Sequence, residues 1–182
     1  MIEVEYKYAV SSVETLQADL QRINAKFIET VHQEDLYFDH FLDDFRKKDI
    51  AFRIRKSGLV SWLTYKGPNQ DAVGKIRDEH EVQLENPAAA DTLQKILVGA
   101  GFRPLSPVQK RRQRYHVMVD SMEVEFCLDE VDGLGAFAEI EILVEEQSQV
   151  AQAKATITKL AQQFSLSQPI RTSYLDLLLE QA

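Results

Sequence analysis

The sequence predicts an α+β fold built on a large antiparallel β-sheet. Strand-like segments are numerous, and they occur in groups between helical segments instead of alternating with them one by one. Regular alternation of strand and helix is typical of doubly wound parallel sheets, so this order favours antiparallel pairing. The chain has 182 residues and contains no internal repeat or linker. This length suits one well-cored domain, and we expect a single domain over residues 1–182.

Nine segments show the alternation or the residue content of β-strands. Turn signals separate several of them, at Ser57-Gly58, at Gly67-Pro68-Asn69 and at Asp132-Gly133. The predicted strands cover residues 2–10, 26–32, 35–40, 51–57, 60–66, 74–85, 108–119, 121–129 and 136–144.

Four helices are predicted from capping residues and apolar periodicity. Ser11 or Ser12 caps the first, which runs to about Ala25 with Leu16 and Leu20 in its apolar stripe. The second has a proline in its first turn and a glycine just past its end. These later helices are predicted over 87–100, over 147–164, and as a short terminal helix capped by Thr172 or Ser173.

Composition excludes several broad classes of protein. The net charge of −8 argues against a general nucleic-acid-binding protein, because phosphate backbones favour basic surfaces. No apolar run approaches the roughly 20 residues of a membrane-spanning helix, and no signal peptide is evident. The single cysteine, Cys127, excludes an internal disulfide, and its neighbours Phe126 and Leu128 predict a core position. We therefore expect a cytoplasmic protein that binds neither nucleic acid nor membrane.

Charged residues of like sign repeat at every second position of the predicted strands. Residues two apart share one face of a strand, so Glu3, Glu5 and Lys7 point the same way. A solvated sheet face also produces alternation, but like charges at neighbouring positions repel, and a passive surface has no reason to favour them. The pattern recurs at Arg53 and Arg55, at Lys75, Arg77, Glu79 and Glu81, at Lys110, Arg112 and Arg114, at Glu123 and Glu125, and at Glu139 and Glu141.

Paired basic clusters with paired acidic clusters predict metal–polyphosphate chemistry. Guanidinium and ammonium groups bind phosphate oxygens, and carboxylates hold a hard divalent ion such as Mg²⁺ or Mn²⁺. The chain has no P-loop, no GxGxxG and no GxSxG sequence. The four histidines lack metal-ligand spacing, which makes zinc a poor candidate.

The segment Glu3-x-Glu5-x-Lys7 resembles the ExExK signature of the CYTH superfamily, the triphosphate tunnel metalloenzymes. This superfamily includes class IV adenylyl cyclases, thiamine triphosphatases and inorganic tripolyphosphatases. Further similar segments follow in order and extend the resemblance over essentially the whole chain: DLYFD (35–39), FRIR (52–55), TYKGP (64–68), KIRDEHEV (75–82), VQKRRQRY (108–115), CLDEVDGLGAFAEIE (127–141) and TSYLDLLL (172–179).

The resemblance implies a closed or nearly closed antiparallel β-barrel of about eight strands, with a charged lumen and helices packed outside. It implies that the metal carboxylates are Glu3, Glu5, Glu139 and Glu141, with Asp129 as a further candidate. It also implies a supporting role for Glu79 and Glu81, which either orient the basic side chains or lie near a second metal. The implied triphosphate ligands are Lys7, Arg53, Arg55, Lys66, Lys75, Arg77, Lys110 and Arg112.

The tunnel by itself does not distinguish a cyclase from a triphosphatase. The segment GLGAFAEIE and the ending SYLDLLL are most similar to the class IV cyclases, which convert ATP to cyclic AMP and pyrophosphate. An inorganic tripolyphosphatase or a thiamine or nucleoside triphosphatase is the alternative, followed by a non-catalytic polyphosphate or nucleotide sensor. The resemblance implies that both the cyclase and the triphosphatase would use Mg²⁺ or Mn²⁺ and would need no dedicated side-chain nucleophile. The family also makes a homodimer plausible.

Overall fold

Nine strands and four α-helices build the fold in the computed structural model, which describes residues 1–181. The strands are β1 (Ile2–Ala9), β2 (Lys26–His40), β3 (Ala51–Ser57), β4 (Val60–Lys66), β5 (Lys75–Leu84), β6 (Phe102–Pro104), β7 (Val108–Val119), β8 (Met122–Val131) and β9 (Gly135–Val144). The helices are α1 (Val13–Arg22), α2 (Pro87–Gly99), α3 (Val150–Gln163) and α4 (Tyr174–Glu180), with a 3-10 turn at Gln147–Gln149. Among residues 1–181, no helix has the length and apolar character that crossing a membrane requires.

Eight of the strands form a closed antiparallel ring, which confirms the predicted architecture. The order around the ring is β3, β4, β5, β1, β9, β8, β7, β2, and the pairing of β2 with β3 closes it. The short strand β6, which the sequence did not predict, pairs with the last residues of β2 and lies outside the ring.

Strand β2 differs from its prediction, because one strand of 15 residues replaces the two predicted over 26–32 and 35–40. The polar residues Gln33 and Glu34 interrupt the apolar pattern, but the backbone continues through them. It can do so because residues 33–35 pair with both neighbouring strands, β7 on one side and β3 on the other. This length is what allows β2 to close the ring.

The outward faces of the strands pack against the helices. Alternation in β1 sends Val4, Tyr6 and Tyr8 outward, and all three are buried. Leu20 of α1 and Ile157 of α3 join the same cluster and are fully buried. Burying an aliphatic side chain of this size stabilises the fold by about 1.5–3 kcal/mol. The apolar faces of β1 and its neighbours therefore pack against the helices outside the ring. Their charged faces point into the ring interior.

A second apolar cluster fills one end of the ring interior, which we call the base. Helix α4 closes it from below, capped by Ser173, whose hydroxyl accepts a hydrogen bond from the Asp176 amide. The base consists of Tyr37, Val108, Val131, Phe137, Tyr174 and Leu175. The charged part of the interior thus lies above an apolar floor that the last helix completes.

Candidate active site

The ring encloses a cavity of about 620 Å³ with walls of mixed charge. Fourteen of the fifteen predicted site residues line it, whereas Asp129 is fully buried and does not. Strand register explains the convergence, because Glu5 of β1 faces Lys75 of β5 on one side and Glu141 of β9 on the other. The lining set is Glu3, Glu5, Lys7, Arg53, Arg55, Lys66, Lys75, Arg77, Glu79, Glu81, Lys110, Arg112, Glu139 and Glu141.

Three carboxylates meet in the wall formed by β1 and β9. Glu3, Glu5 and Glu141 each offer an oxygen, and these atoms all lie within 4.8 Å of one another. Glu3 is fully buried, and its Oε2 has no hydrogen-bond partner within residues 1–181. Burial and then the nearby Glu3 raise the pKa of Glu141 well above its usual range. Crowded, desolvated carboxylates of this kind fit a hard divalent cation such as Mg²⁺ or Mn²⁺.

Cations border this carboxylate group. Lys66 contacts Glu3, and its Nζ lies 3.5 Å from the Glu79 carboxylate. Burial lowers the pKa of Lys66, but the charges of Glu3 and Glu79 outweigh it and raise the pKa. The Nζ of Lys75 lies 3.8 Å from Glu5. The acidic group is therefore held beside fixed positive charge.

Asp35 organises the two predicted arginines of β3. Arg55 donates two hydrogen bonds to its carboxylate, at 2.6 and 2.7 Å, and Arg53 donates a third at 3.3 Å. Burial opposes the charge of Asp35, but the two guanidinium groups hold its pKa well below the usual range. Asp35 was not among the site residues predicted from the sequence. The available signal was its place in DLYFD, where Asp35 alternates with Tyr37 on one face of a predicted strand.

Asp129 of β8 has the same role for the basic residues of the neighbouring strand β7. Arg112 donates to it at 2.7 and 2.6 Å, Lys110 at 3.0 Å, and the Tyr174 hydroxyl at 3.1 Å. Glu139 also contacts Arg112. The five predicted metal carboxylates are thus divided in this structure. Glu3, Glu5 and Glu141 form one group, whereas Asp129 and Glu139 hold basic residues.

Lys7 lies just above the base. Its Nζ donates a 2.5 Å hydrogen bond to the Thr172 carbonyl and lies 4.2 Å from the centroid of the Tyr174 ring. Burial, followed by repulsion from Lys75, lowers the pKa of Lys7 to about 7. The terminal segment therefore contributes directly to the cavity floor.

Arg77 reaches a different partner, and its Nη2 donates to Asp49 at 2.8 Å. Its Nε is buried without a hydrogen-bond partner in the described part of the chain. Guanidinium nitrogens in this state suit an incoming anion.

Glu125 was noted in the sequence only for its alternation, yet it lines the cavity. Arg114 donates to it at 2.9 and 2.7 Å. Burial raises its pKa, but the bonds and charge of Arg114 outweigh this and lower the pKa to about 2.

Cys127 is buried as predicted but lies on this polar face, with Sγ 3.2 Å from Glu125. The core prediction was wrong about its face, because alternation groups Cys127 with Glu125 and Asp129.

Comparisons with known proteins find relatives that match nearly the whole chain. The CYTH domain model matches residues 1–174. A candidate adenylate cyclase of Methanocaldococcus jannaschii is 32% identical over 97% of this chain and 98% of its own length. The adenylate cyclase CyaB of Aeromonas hydrophila is 27% identical over 91% of this chain and 81% of its own. A solved structure from Pyrococcus horikoshii OT3 is 33% identical and superimposes with a TM-score of 0.85 over 99% of both chains.

Proposed function

This chain belongs to the CYTH domain family, and we propose that it is a class IV adenylyl cyclase that converts ATP to cyclic AMP and pyrophosphate. The observation that carries the proposal is the meeting of three carboxylates with a ring of basic residues inside one cavity. The names of the two curated relatives favour the cyclase over a hydrolase.

The basic residues suit a triphosphate because there are several of them and because neighbouring carboxylates already hold them in position. ATP carries about four negative charges near pH 7. Asp35 fixes Arg53 and Arg55, and Asp129 fixes Arg112 and Lys110, so these groups need little reordering when the phosphates enter. Arg can bind phosphate oxygens in a bidentate manner, which fixes the orientation of the chain of phosphates as well as its charge.

The carboxylates Glu3, Glu5 and Glu141 would hold the divalent cation that the proposed activity needs. When bound, Mg²⁺ or Mn²⁺ neutralises phosphate charge and polarises the phosphorus–oxygen bonds. The unpartnered oxygen of Glu3 and the raised pKa of Glu141 support this assignment, because both reflect negative charge that a cation would balance. Glu139 and Asp129 act differently, by holding Arg112 in place.

In the proposed reaction the ribose 3′-oxygen bonds to the α-phosphorus and loses its proton to water. The bond from this phosphorus to the bridging oxygen breaks, and pyrophosphate leaves. Lys7, Lys110 and Arg112 would stabilise the charge that grows on the leaving group. The 3′-oxygen is itself the nucleophile, so the proposed reaction needs no covalent enzyme intermediate.

The test is to identify products after incubating the protein separately with ATP and with tripolyphosphate, each with Mg²⁺ or Mn²⁺. Cyclic AMP with pyrophosphate is the expected result. Release of orthophosphate from either compound would show a triphosphatase instead of a cyclase. Tight binding without turnover would show a non-catalytic sensor. Glu141→Gln should abolish turnover, whereas Glu145→Gln, on an exposed residue just after β9, should not change it.

A further inference from the structure

One aromatic side chain of the base contacts groups from several walls of the cavity. Tyr174, the first residue of α4, is buried and lines the cavity. The Nζ of Lys7 lies over its ring at 4.2 Å from the centroid, and the Nζ of Lys110 lies at 5.1 Å. Its hydroxyl donates to Asp129 at 3.1 Å. Lys7 belongs to β1 and Lys110 to β7, two strands that do not pair, so Tyr174 links cations that the sheet alone keeps apart.

The ring compensates for the burial of these ammonium groups. In the described part of the chain, the Nζ of Lys7 makes one hydrogen bond, to the Thr172 carbonyl. The face of an aromatic ring carries partial negative charge and attracts a cation, more strongly where water is excluded. The ring of Tyr174 therefore favours the charged form of Lys7 and fixes where its ammonium group lies.

The hydroxyl of Tyr174 acts on a second group. Asp129 also accepts hydrogen bonds from Lys110 and Arg112. Burial, followed by the charge of Glu139, raises the pKa of Tyr174 well above its ordinary value, so the hydroxyl stays protonated and remains a donor. This bond helps to orient the carboxylate that holds Lys110 and Arg112.

Closing the floor does not require these polar contacts. Phe137 packs edge-on against Tyr174 in the same cluster, with ring centroids 5.0 Å apart, and no cation of residues 1–181 lies over its ring. The position of Tyr174 relative to β1 is also fixed by the backbone, because the Ile170 amide donates to the Lys7 carbonyl at 2.7 Å. Tyr174 thus holds the cations from a fixed place, whereas its neighbour only fills space.

Resting on the proposed function, we propose that Tyr174 is a positioning residue for the departure of pyrophosphate. Its ring holds Lys7 and Lys110 at the base of the cavity, and its hydroxyl acts on Lys110 and Arg112 through Asp129. Negative charge grows on pyrophosphate as it leaves, so cations that are already ordered lower the barrier. Tyr174 acts through these groups and needs no contact of its own with the phosphates.

The test separates the ring from the hydroxyl by measuring pyrophosphate affinity in calorimetry. Tyr174→Phe keeps the ring and should weaken pyrophosphate binding by about threefold or less, since Asp129 retains its bonds to Lys110 and Arg112. Pentafluorophenylalanine at position 174 has the shape of phenylalanine, but its ring faces repel cations. It should weaken pyrophosphate binding by about tenfold or more and lower kcat by a similar factor.

The matched control is pentafluorophenylalanine at position 137, which should change pyrophosphate affinity by less than about twofold. Affinity for Mn²⁺ alone should be unchanged in every variant, because Tyr174 makes no hydrogen bond to the group of Glu3, Glu5 and Glu141. Equal pyrophosphate affinity with phenylalanine and with pentafluorophenylalanine at position 174 would overturn the positioning role. So would an equal loss from the control or a parallel loss of Mn²⁺ affinity, since either would show a purely structural effect. Failure of the unmodified protein to form cyclic AMP would instead overturn the proposed function.

Discussion

Replacing Asp35 with asparagine tests whether this buried carboxylate holds the arginines of β3. Asp35 is 1% exposed, and the side chains of Arg53 and Arg55 are 11% and 13% exposed. Removing one partner of a buried ion pair costs about 3–5 kcal/mol, because the remaining charge stays desolvated. Arg53 keeps a 3.2 Å hydrogen bond to the Tyr37 hydroxyl, so we expect the lower end, about 3 kcal/mol.

The measurement is thermal unfolding followed by circular dichroism. For a chain of this length, each kcal/mol lowers Tm by roughly 2–4 °C, so Asp35→Asn should lower it by about 6–12 °C. Asp44→Asn is the control, since Asp44 pairs with Lys47 at 2.9 Å on the surface and should leave Tm unchanged. A Tm for Asp35→Asn equal to that of the control would refute the argument.

The same variant makes a prediction about pH. The native pKa of Asp35 is depressed, so the stability that its charge contributes is fully present above the unfolded value of about 3.9 and declines below it. The difference in Tm between the unmodified protein and Asp35→Asn should therefore be largest near pH 7 and smaller near pH 3. A difference that stays constant over this range would show that the ion pair is not its origin.

Three further predictions concern the metal, the phosphates and the packing of β1. Glu5→Gln should abolish turnover with Mg²⁺ and leave the circular dichroism spectrum intact, because it removes one anionic oxygen from the carboxylate group; full activity would exclude a metal role. Arg55→Ala should weaken tripolyphosphate binding in calorimetry more than it changes metal affinity, and unchanged tripolyphosphate affinity would remove Arg55 from the phosphate ligands. Gly74→Ala should lower stability by about 1–3 kcal/mol in denaturant unfolding, since a Cβ there would lie 2.2 Å from the Tyr6 ring and 2.8 Å from the Glu5 carbonyl oxygen; a neutral result would mean that β1 shifts without cost.

The family and the fold could be predicted from the sequence because their signals are local. Alternation with period two places Glu3, Glu5 and Lys7 on one face whatever their neighbours are. The order of strands and helices then favours an antiparallel sheet, and the structure confirms the ring. The N-cap of α1 was predicted at Ser11 or Ser12, and Ser12 is the cap; such a prediction is possible since a cap depends on the few residues beside it.

Strand pairing decided what alternation could not. Whether a carboxylate meets other carboxylates or a guanidinium depends on register between strands that are distant in the chain, and no local pattern carries that information. Register gathers Glu3, Glu5 and Glu141, whereas it sends Asp129 to Arg112 and assigns Asp35 to two arginines.

The sequence by itself determined which side chains share a face and which family the chain resembles. Only the tertiary structure decided which face is interior, because closure depends on β2 pairing with β7 on one side and with β3 on the other. Only the tertiary structure brings α4 under the ring, where Tyr174 seals the floor and Thr172 receives Lys7. The hydrogen bond from Lys7 to Thr172 joins the first strand to the segment before the last helix, and its geometry exists only once the ring has closed.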